Sequence, residues 1–377
     1  MSGKKLIGIV LVTFVVVFGA VLAALQVDRM TKTSGEQGRM LDLLNPAIQV
    51  QNTAAKAPFD FVSASKKIVP SVVSVDNIGE RTSIFGDRVV AKNGSGSGVI
   101  VSKDGYIITN NHVVEDAAYL RVKLADNRQF NAKLIGRDPR SDLALLKIEA
   151  TGLTSVAYGD SSKLEVGAWV VAVGSPLGYE STLSVGVIST KARTLPTEGA
   201  LLVDAIQTDA SINQGNSGGA LCTYGGELIG INTAIASVDG GSIGLGFAIP
   251  INRVRKVVAE LLKYGRMRYG SMGIRVDRRD GLLGNPDARE ELQLRTNSTE
   301  KAPEQGLLIQ VVDPAGPAAK AGLKQLDVIL EVDGRKMTSN LDLEKVMLEK
   351  KPDDKAKVKA WVSGKTKEVE LTLTEQN

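Results

Sequence analysis

The sequence predicts a mainly β protein: two packed antiparallel barrels of about six short strands each, then a small α+β domain, with a transmembrane helix ahead of them at the N-terminus. Three observations carry this. Residues 59–250 hold short β-type runs separated by turn residues, with no long helical pattern between them. Residues 266–377 mix such runs with the amphipathic stretch Leu341 to Leu348. Leu6 to Leu25 is an uncharged apolar run, long enough for a bilayer-spanning helix.

Residues 1–26 read as an uncleaved anchor. Lys4 and Lys5 precede the apolar run, and Leu22-Ala23-Ala24-Leu25 lacks the small-x-small site of a removable signal peptide. Residues 27–58 are polar and poor in aromatic and β-branched clusters, a tether that reaches about 30 Å if flexible. In residues 59–265 one strand group comprises Ser71–Val75, Gly98–Val101, Tyr106–Thr109, Leu120–Leu124, Phe130–Ile135 and Leu143–Ile148. The second comprises Trp169–Val173, Ser184–Ser189, Leu202–Gln207, Gly218–Cys222, Leu228–Asn232 and Gly244–Ile249. Lys103-Asp104-Gly105 and Tyr224-Gly225-Gly226 are hairpin turns between neighbouring runs. A helix from Asn252, its cap, to Gly265 places Val254, Val257, Val258, Leu261 and Leu262 on one face and closes the β region. In residues 266–377, strands are expected at Gly306–Val312, Asp327–Val332, Lys357–Val362 and Glu368–Leu373, and the charged segment Asp277–Gln305 reads as a loop.

Composition narrows the function classes. The net charge of +4, from 46 basic and 42 acidic residues, comes with no dense basic run and few aromatics, which gives no footprint for nucleic acid. One cysteine, Cys222, rules out an internal disulfide framework, and a single histidine leaves a metal site without its usual ligands. No metal or cofactor is expected. Gly94-Ser95-Gly96-Ser97-Gly98 precedes a strand and no helix, so it lacks the geometry that cradles a phosphate and reads as a loop entering a barrel strand.

The chemistry centres on Asp209–Leu221, where Gly215-Asn216-Ser217-Gly218-Gly219 sets one hydroxyl between glycines. A serine nucleophile needs a base of near-neutral pKa within hydrogen-bond reach, and His112, in T-N-N-H-V-V, is the only imidazole in the chain. The base needs an acid to orient it. Asp142 opens the apolar run Leu143-Ala144-Leu145-Leu146, where a carboxylate is partly buried; Asp138 reads as a turn former, and Asp116, Asp126 and Asp160 lie in polar connections. Chain order then discriminates. The nucleophile-elbow hydrolases place the histidine after the serine, and no histidine follows Ser217. The order Asp, His, Ser belongs to a parallel α/β fold that the strand pattern denies. What remains is His, Asp, Ser in a chymotrypsin-like double barrel with its site in the cleft between barrels.

T-N-N-H-V-V, S-D-L-A-L-L at Ser141–Leu146, G-N-S-G-G-A-L and G-L-G-F-A-I-P at Gly244–Pro250 resemble the HtrA (Deg) serine proteases, over roughly residues 60–375. The resemblance implies His112 as general base, Asp142 as its orienting partner and Ser217 as nucleophile, with the backbone amides of Gly215 and Ser217 as oxyanion hole. Six residues before the serine, where trypsin-type enzymes carry their pocket acid, stands Ser211; with Ile243 and Leu245 on or beside the pocket wall, cleavage after a small or medium aliphatic residue is expected. Asp209 reads as structural. The C-terminal segment resembles a PDZ domain, with Ser271-Met272-Gly273-Ile274 as the loop that takes a peptide's terminal carboxylate. Anchor, tether, protease and one PDZ unit together are similar to the membrane-anchored stress sensors of this family. That implies a homotrimer outside the bacterial inner membrane, gated by C-terminal peptides and cleaving a regulatory membrane protein or unfolded proteins. A general degradative protease, and a peptide-binding chaperone with an unused triad, are the alternatives.

Overall fold

Leu143-Ala144-Leu145-Leu146 is apolar on both faces because its strand is covered on both. Ala144 and Leu146 enter a cluster with Val73, Val75, Leu120 and Val122, inside the first barrel, while Leu143 and Leu145 join Val171, Val173, Ile231 and the helix residues Val254 and Leu261 between the two barrels. A computed structural model of the chain describes residues 21–23, 60–82, 88–175, 181–197, 200–213, 215–233 and 244–376, and residues 60–377 form one unit.

The first barrel is closed in the order β1 (Val72–Thr82), β2 (Arg88–Ile100), β3 (Tyr106–Thr109), β6 (Leu143–Lys147), β5 (Gln129–Asp138), β4 (Tyr119–Lys123). The second runs β11 (Ala220–Thr223), β8 (Trp169–Gly174), β9 (Thr182–Pro196), β10 (Leu201–Thr208), β13 (Gly246–Pro250), β12 (Glu227–Thr233). A β11–β12 pairing closes these six strands on themselves, and β7 (Ala157–Tyr158) adds in parallel to β12. Helix α1 (Phe61–Ile68) is capped by the Asp60 side chain and buries Ala64 and Ile68 in the inter-barrel cluster. The described residues of 60–250 are therefore mainly β, in two barrels packed on one another. Among the described residues no helix is long and apolar enough to cross a membrane; of Leu6–Leu25 only residues 21–23, which are helical, lie within them.

Three details differ from expectation. Gly94–Gly98 is not a loop: it lies inside β2, paired with β1. A Cβ on Gly96 would stand 2.6 Å from Val113 and 3.1 Å from the Ser217 carbonyl oxygen, so here the glycine admits the backbone of the serine turn. Asn252 does not cap its helix. α3 (Ile251–Tyr264) starts at Ile251, and Asn252 instead donates to Asp160, which leaves the helix to end, as expected, at Gly265 in the left-handed conformation. The charged segment is not a plain loop, since α4 (Pro286–Thr296) begins there with Asn285 accepting from the Asp287 N–H and Pro286 at its first position. Leu283 and Leu292 fasten it over Val328 and Trp361.

Strands β15 (Ile274–Val276), β16 (Leu307–Val312), β17 (Val328–Val332), β19 (Lys355–Val362) and β20 (Lys365–Thr372) form one sheet in that order, with β18 (Arg335–Lys336) pairing to β17. The short α5 (Pro317–Lys320) and α6 (Asn340–Glu349) complete this domain, and β14 (Gly270–Ser271) pairs with the C-terminal β21 (Thr374–Glu375).

Candidate active site

The first barrel delivers an imidazole and a carboxylate to one point. His112 follows β3 on the short helix α2 (Asn111–Val114), which is held from outside by Asn77, whose amide donates to the carbonyls of Val113 and Glu115. Asp142 ends a 3-10 turn, Pro139–Ser141, in the left-handed conformation with φ 52°, directly before β6. Its Oδ2 and Oδ1 lie 2.9 and 3.0 Å from His112 Nδ1, and Oδ1 also accepts from the His112 backbone N–H at 3.1 Å. An ionised carboxylate only accepts, so Nδ1 carries the hydrogen of this contact and Nε2 faces away from it. The imidazole stays half-exposed while Asp142 is buried.

The second barrel contributes a donor that sequence reasoning missed. Thr233, at the end of β12, gives its hydroxyl to Asp142 Oδ2 at 3.0 Å, so the carboxylate joins both barrels. A threonine ending a strand carries no signal of its own in the sequence.

The glycine turn between Thr208 and β11 is fixed against the first barrel by Ser97 of β2, also missed. Its N–H donates to the Ser217 carbonyl at 2.7 Å, and its hydroxyl donates to the Gly215 carbonyl at 2.6 Å while accepting from the Ser175 N–H at 2.8 Å. Its own carbonyl accepts from Thr109 Oγ1 at 2.6 Å, at the end of the strand that leads to His112. Gly218 takes φ 82°, and a Cβ there would stand 2.1 Å from the Ser97 carbonyl oxygen, so backbone conformation and crowding both demand glycine. Gly218 N–H donates to Asn232 and Asn232 N–H to Gly219, which sews the turn to β12. Ser217 lies buried within it, 5% exposed.

The other predicted positions are placed as follows. Ser211 is exposed and its carbonyl accepts from Ser184 Oγ; Leu245 is exposed just ahead of β13; Ile243 lies outside the described residues. Asp209 accepts from the Val187 N–H, a structural bond. Asp126 pairs with Arg128, and Asp160 is held down to about 2 by the Ser162 hydroxyl and the Asn252 amide. Asp138 is no simple turn former: it is buried and accepts from the Tyr269 hydroxyl at 2.6 Å. Burial, and then the Asp138 charge, push the Tyr269 phenol above its usual range. Cys222 is fully buried, which raises its thiol out of reactive range. Among the described residues no cluster of ligating side chains could hold a metal ion.

In the C-terminal domain Ser271, Met272, Gly273 and Ile274 form a turn that closes on itself. Gly273 N–H donates to Ser271 Oγ at 3.1 Å, and the Met272 and Gly273 carbonyls accept from Ala318 and Asp313. Ser271, Met272 and Ile274 edge an open groove of about 490 Å³ whose far side is α6.

Two barrels carrying a histidine–aspartate pair and a serine on a glycine turn, followed by a PDZ fold, define a trypsin-like peptidase with an appended PDZ domain. Family models agree, the trypsin-like peptidase domain matching residues 96–231 and the PDZ domain residues 270–373. Among curated relatives, a probable periplasmic serine endoprotease DegP-like of Pseudomonas putida (strain W619) is 42% identical over 76% of this chain and 57% of its own length. The periplasmic pH-dependent serine endoprotease DegQ of Escherichia coli (strain K12) is 40% identical over 82% of this chain and 69% of its own. The chain thus spans little more than half the length of the DegP-like relative. Among solved structures, the HtrA-type protease AlgW with decapeptide superposes with a TM-score of 0.70 at 30% identity, covering 84% of this chain and 99% of that one. The serine endoprotease from Yersinia pestis gives 0.63 at 34%, covering 85% and 100%. The chain belongs to the HtrA family of serine proteases.

Proposed function

We propose that the protein is an extracytoplasmic serine endopeptidase that cleaves peptide bonds through an acyl-enzyme on Ser217. The observation that carries this reading is the bidentate contact between His112 Nδ1 and Asp142, set beside a glycine turn that carries Ser217. In this mechanism His112 Nε2 takes the Ser217 hydroxyl proton as Oγ attacks the scissile carbonyl, and the Gly215 and Ser217 amides take the oxyanion. Asp142 stabilises the imidazolium, which then protonates the leaving amine; water, activated by the same base, releases the acyl group and restores the hydroxyl. Ser211, Ile243 and Leu245 are proposed to line a pocket for a small or medium aliphatic side chain.

Residues 1–26 are proposed as a single-pass inner-membrane anchor and 27–58 as a tether, with the protease domain at 59–265 and the PDZ domain at 266–377 in the periplasm. Periplasmic relatives support the compartment. A homotrimer that cleaves regulatory membrane proteins or unfolded proteins is proposed on the family resemblance. The PDZ groove and the decapeptide in the solved AlgW structure support gating by C-terminal peptides, with the Ser271–Ile274 turn receiving the carboxylate.

The test is cleavage of an unfolded protein, with and without an apolar peptide bearing a free C-terminus. Ser217→Ala is expected to abolish cleavage and retain peptide binding. Equal cleavage by that variant overturns the mechanism, and an unchanged rate with peptide overturns the gating.

A further inference from the structure

The groove of the PDZ domain is apolar along Met272, Ile274, Leu343 and Met347, but one of its lining residues belongs to the protease domain. Arg140 sits in the 3-10 turn Pro139–Ser141, two residues before Asp142, and reaches into the groove beside Gln376. Its guanidinium stands 5.0 Å from the centre of the Tyr269 ring and donates to Gln376 Oε1 at 2.7 Å. Among the described residues it has no carboxylate partner.

We propose that Arg140 is a peptide-binding residue of the groove, that its guanidinium joins the Ser271–Ile274 turn in taking the terminal carboxylate of the bound peptide, and that it reports occupancy to the turn presenting Asp142. The inference rests on the peptide-gated reading above. Two observations favour a carboxylate at this point. The Gly273 N–H is engaged by Ser271 Oγ, so the turn that would receive the carboxylate has one amide already bonded. The charges lining the groove, Arg140 and Arg278 against Glu344, leave it net positive. A carboxylate is also a stronger acceptor than the neutral Gln376 amide, because it adds charge–charge attraction to the guanidinium and can accept two of its N–H groups at once. The guanidinium therefore exchanges Gln376 for the peptide.

The exchange is felt at Asp142 because the turn has little freedom to absorb it. Tyr269, on the segment joining the two domains, donates to Asp138 on one side of the turn, and its hydroxyl lies 3.1 Å from Ser141 Oγ within it. Arg253 of α3 donates to the same Ser141 hydroxyl at 2.9 Å. Asp138, just before the three-residue turn, and Ser141, its last residue, are thus both held, and a displacement of Arg140 is passed through Ser141 to Asp142.

The experiment compares two fluorescein-labelled peptides with one apolar C-terminal residue, one ending in a free carboxylate and one amidated, on the full-length protein. Binding is read by anisotropy and cleavage on an unfolded protein substrate. The wild type is expected to favour the acid over the amide by about tenfold or more, and to respond in rate to the acid alone. Arg140→Gln should bring the two peptides to within about threefold of each other, with the acid losing affinity and the rate response lost. Gln376→Ala, which removes only the competing acceptor, should tighten the acid and leave the amide unmoved. If Arg140→Gln keeps the full preference and response, the assignment of Arg140 is wrong while gating stands. If the wild type neither binds nor responds to either peptide, the gated reading itself falls and this inference with it.

Discussion

Ser97→Ala isolates the residue that holds the serine turn against the first barrel. Ser97 is fully buried, and the variant keeps both backbone bonds, from its N–H to Ser217 and from Thr109 to its carbonyl. It loses only the hydroxyl, leaving the Gly215 carbonyl and the Ser175 N–H without that partner. A buried group that loses a hydrogen-bond partner in this way costs about 1–3 kcal/mol, so two should lower stability by about 2–6 kcal/mol. In the proposed mechanism Gly215 is an oxyanion donor. Complete loss of one such donor costs about 100- to 1000-fold in kcat, so a donor present but loosened should cost roughly tenfold to a hundredfold. Because the contact acts on the developing oxyanion and not on bound substrate, KM should change little. Steady-state cleavage of a fluorogenic peptide, with urea unfolding alongside, measures both effects. A stability loss with kcat within about twofold of wild type would refute a positioning role for Ser97.

Thr233→Val keeps the shape of the side chain and removes the donor to Asp142; kcat should fall about three- to tenfold at unchanged KM, measured in the same assay. Tyr269→Phe deprives buried Asp138 of its hydroxyl partner and should cost about 1.5–3 kcal/mol in urea unfolding, whereas a neutral result would show that the junction does not depend on this bond. Asp277 tests a pH dependence. The Arg279 side chain and N–H and the Gln310 amide hold its carboxyl well below the usual range, against the effect of burial. A depressed carboxylate contributes stability above its unfolded value, near 4, and loses that contribution as pH falls towards the folded value. Asp277→Asn should therefore be less stable than wild type at pH 7, with a gap that narrows at pH 3; an equal gap at both would contradict it.

What the sequence disclosed depended on whether a residue's role is local. The β6 run Leu143–Leu146 is apolar at successive positions because both faces are covered, and Asp142 stands out by opening it. His112 needed only to be the single imidazole. Turn chemistry named the hairpins and the Gly265 cap from a few residues each. Ser97, Thr233 and Arg140 act across barrels or domains, and a serine, threonine or arginine announces no such partner in sequence. Ser97 was further hidden by its glycine neighbours, which mimic a loop although Gly96 serves the close passage of Ser217. The Asn285-Pro286 start of α4 was a readable signal, but its face is so poor in apolar residues that charge masked the helix.

Covalent labelling tests the central claim most directly. A fluorophosphonate that esterifies an activated serine, followed by peptide mapping by mass spectrometry, should place one adduct on Ser217 in the peptide-treated protein. That adduct should vanish in Ser217→Ala and be strongly suppressed in His112→Ala. An adduct on another serine, or labelling of Ser217 at the same rate without His112, would contradict the account.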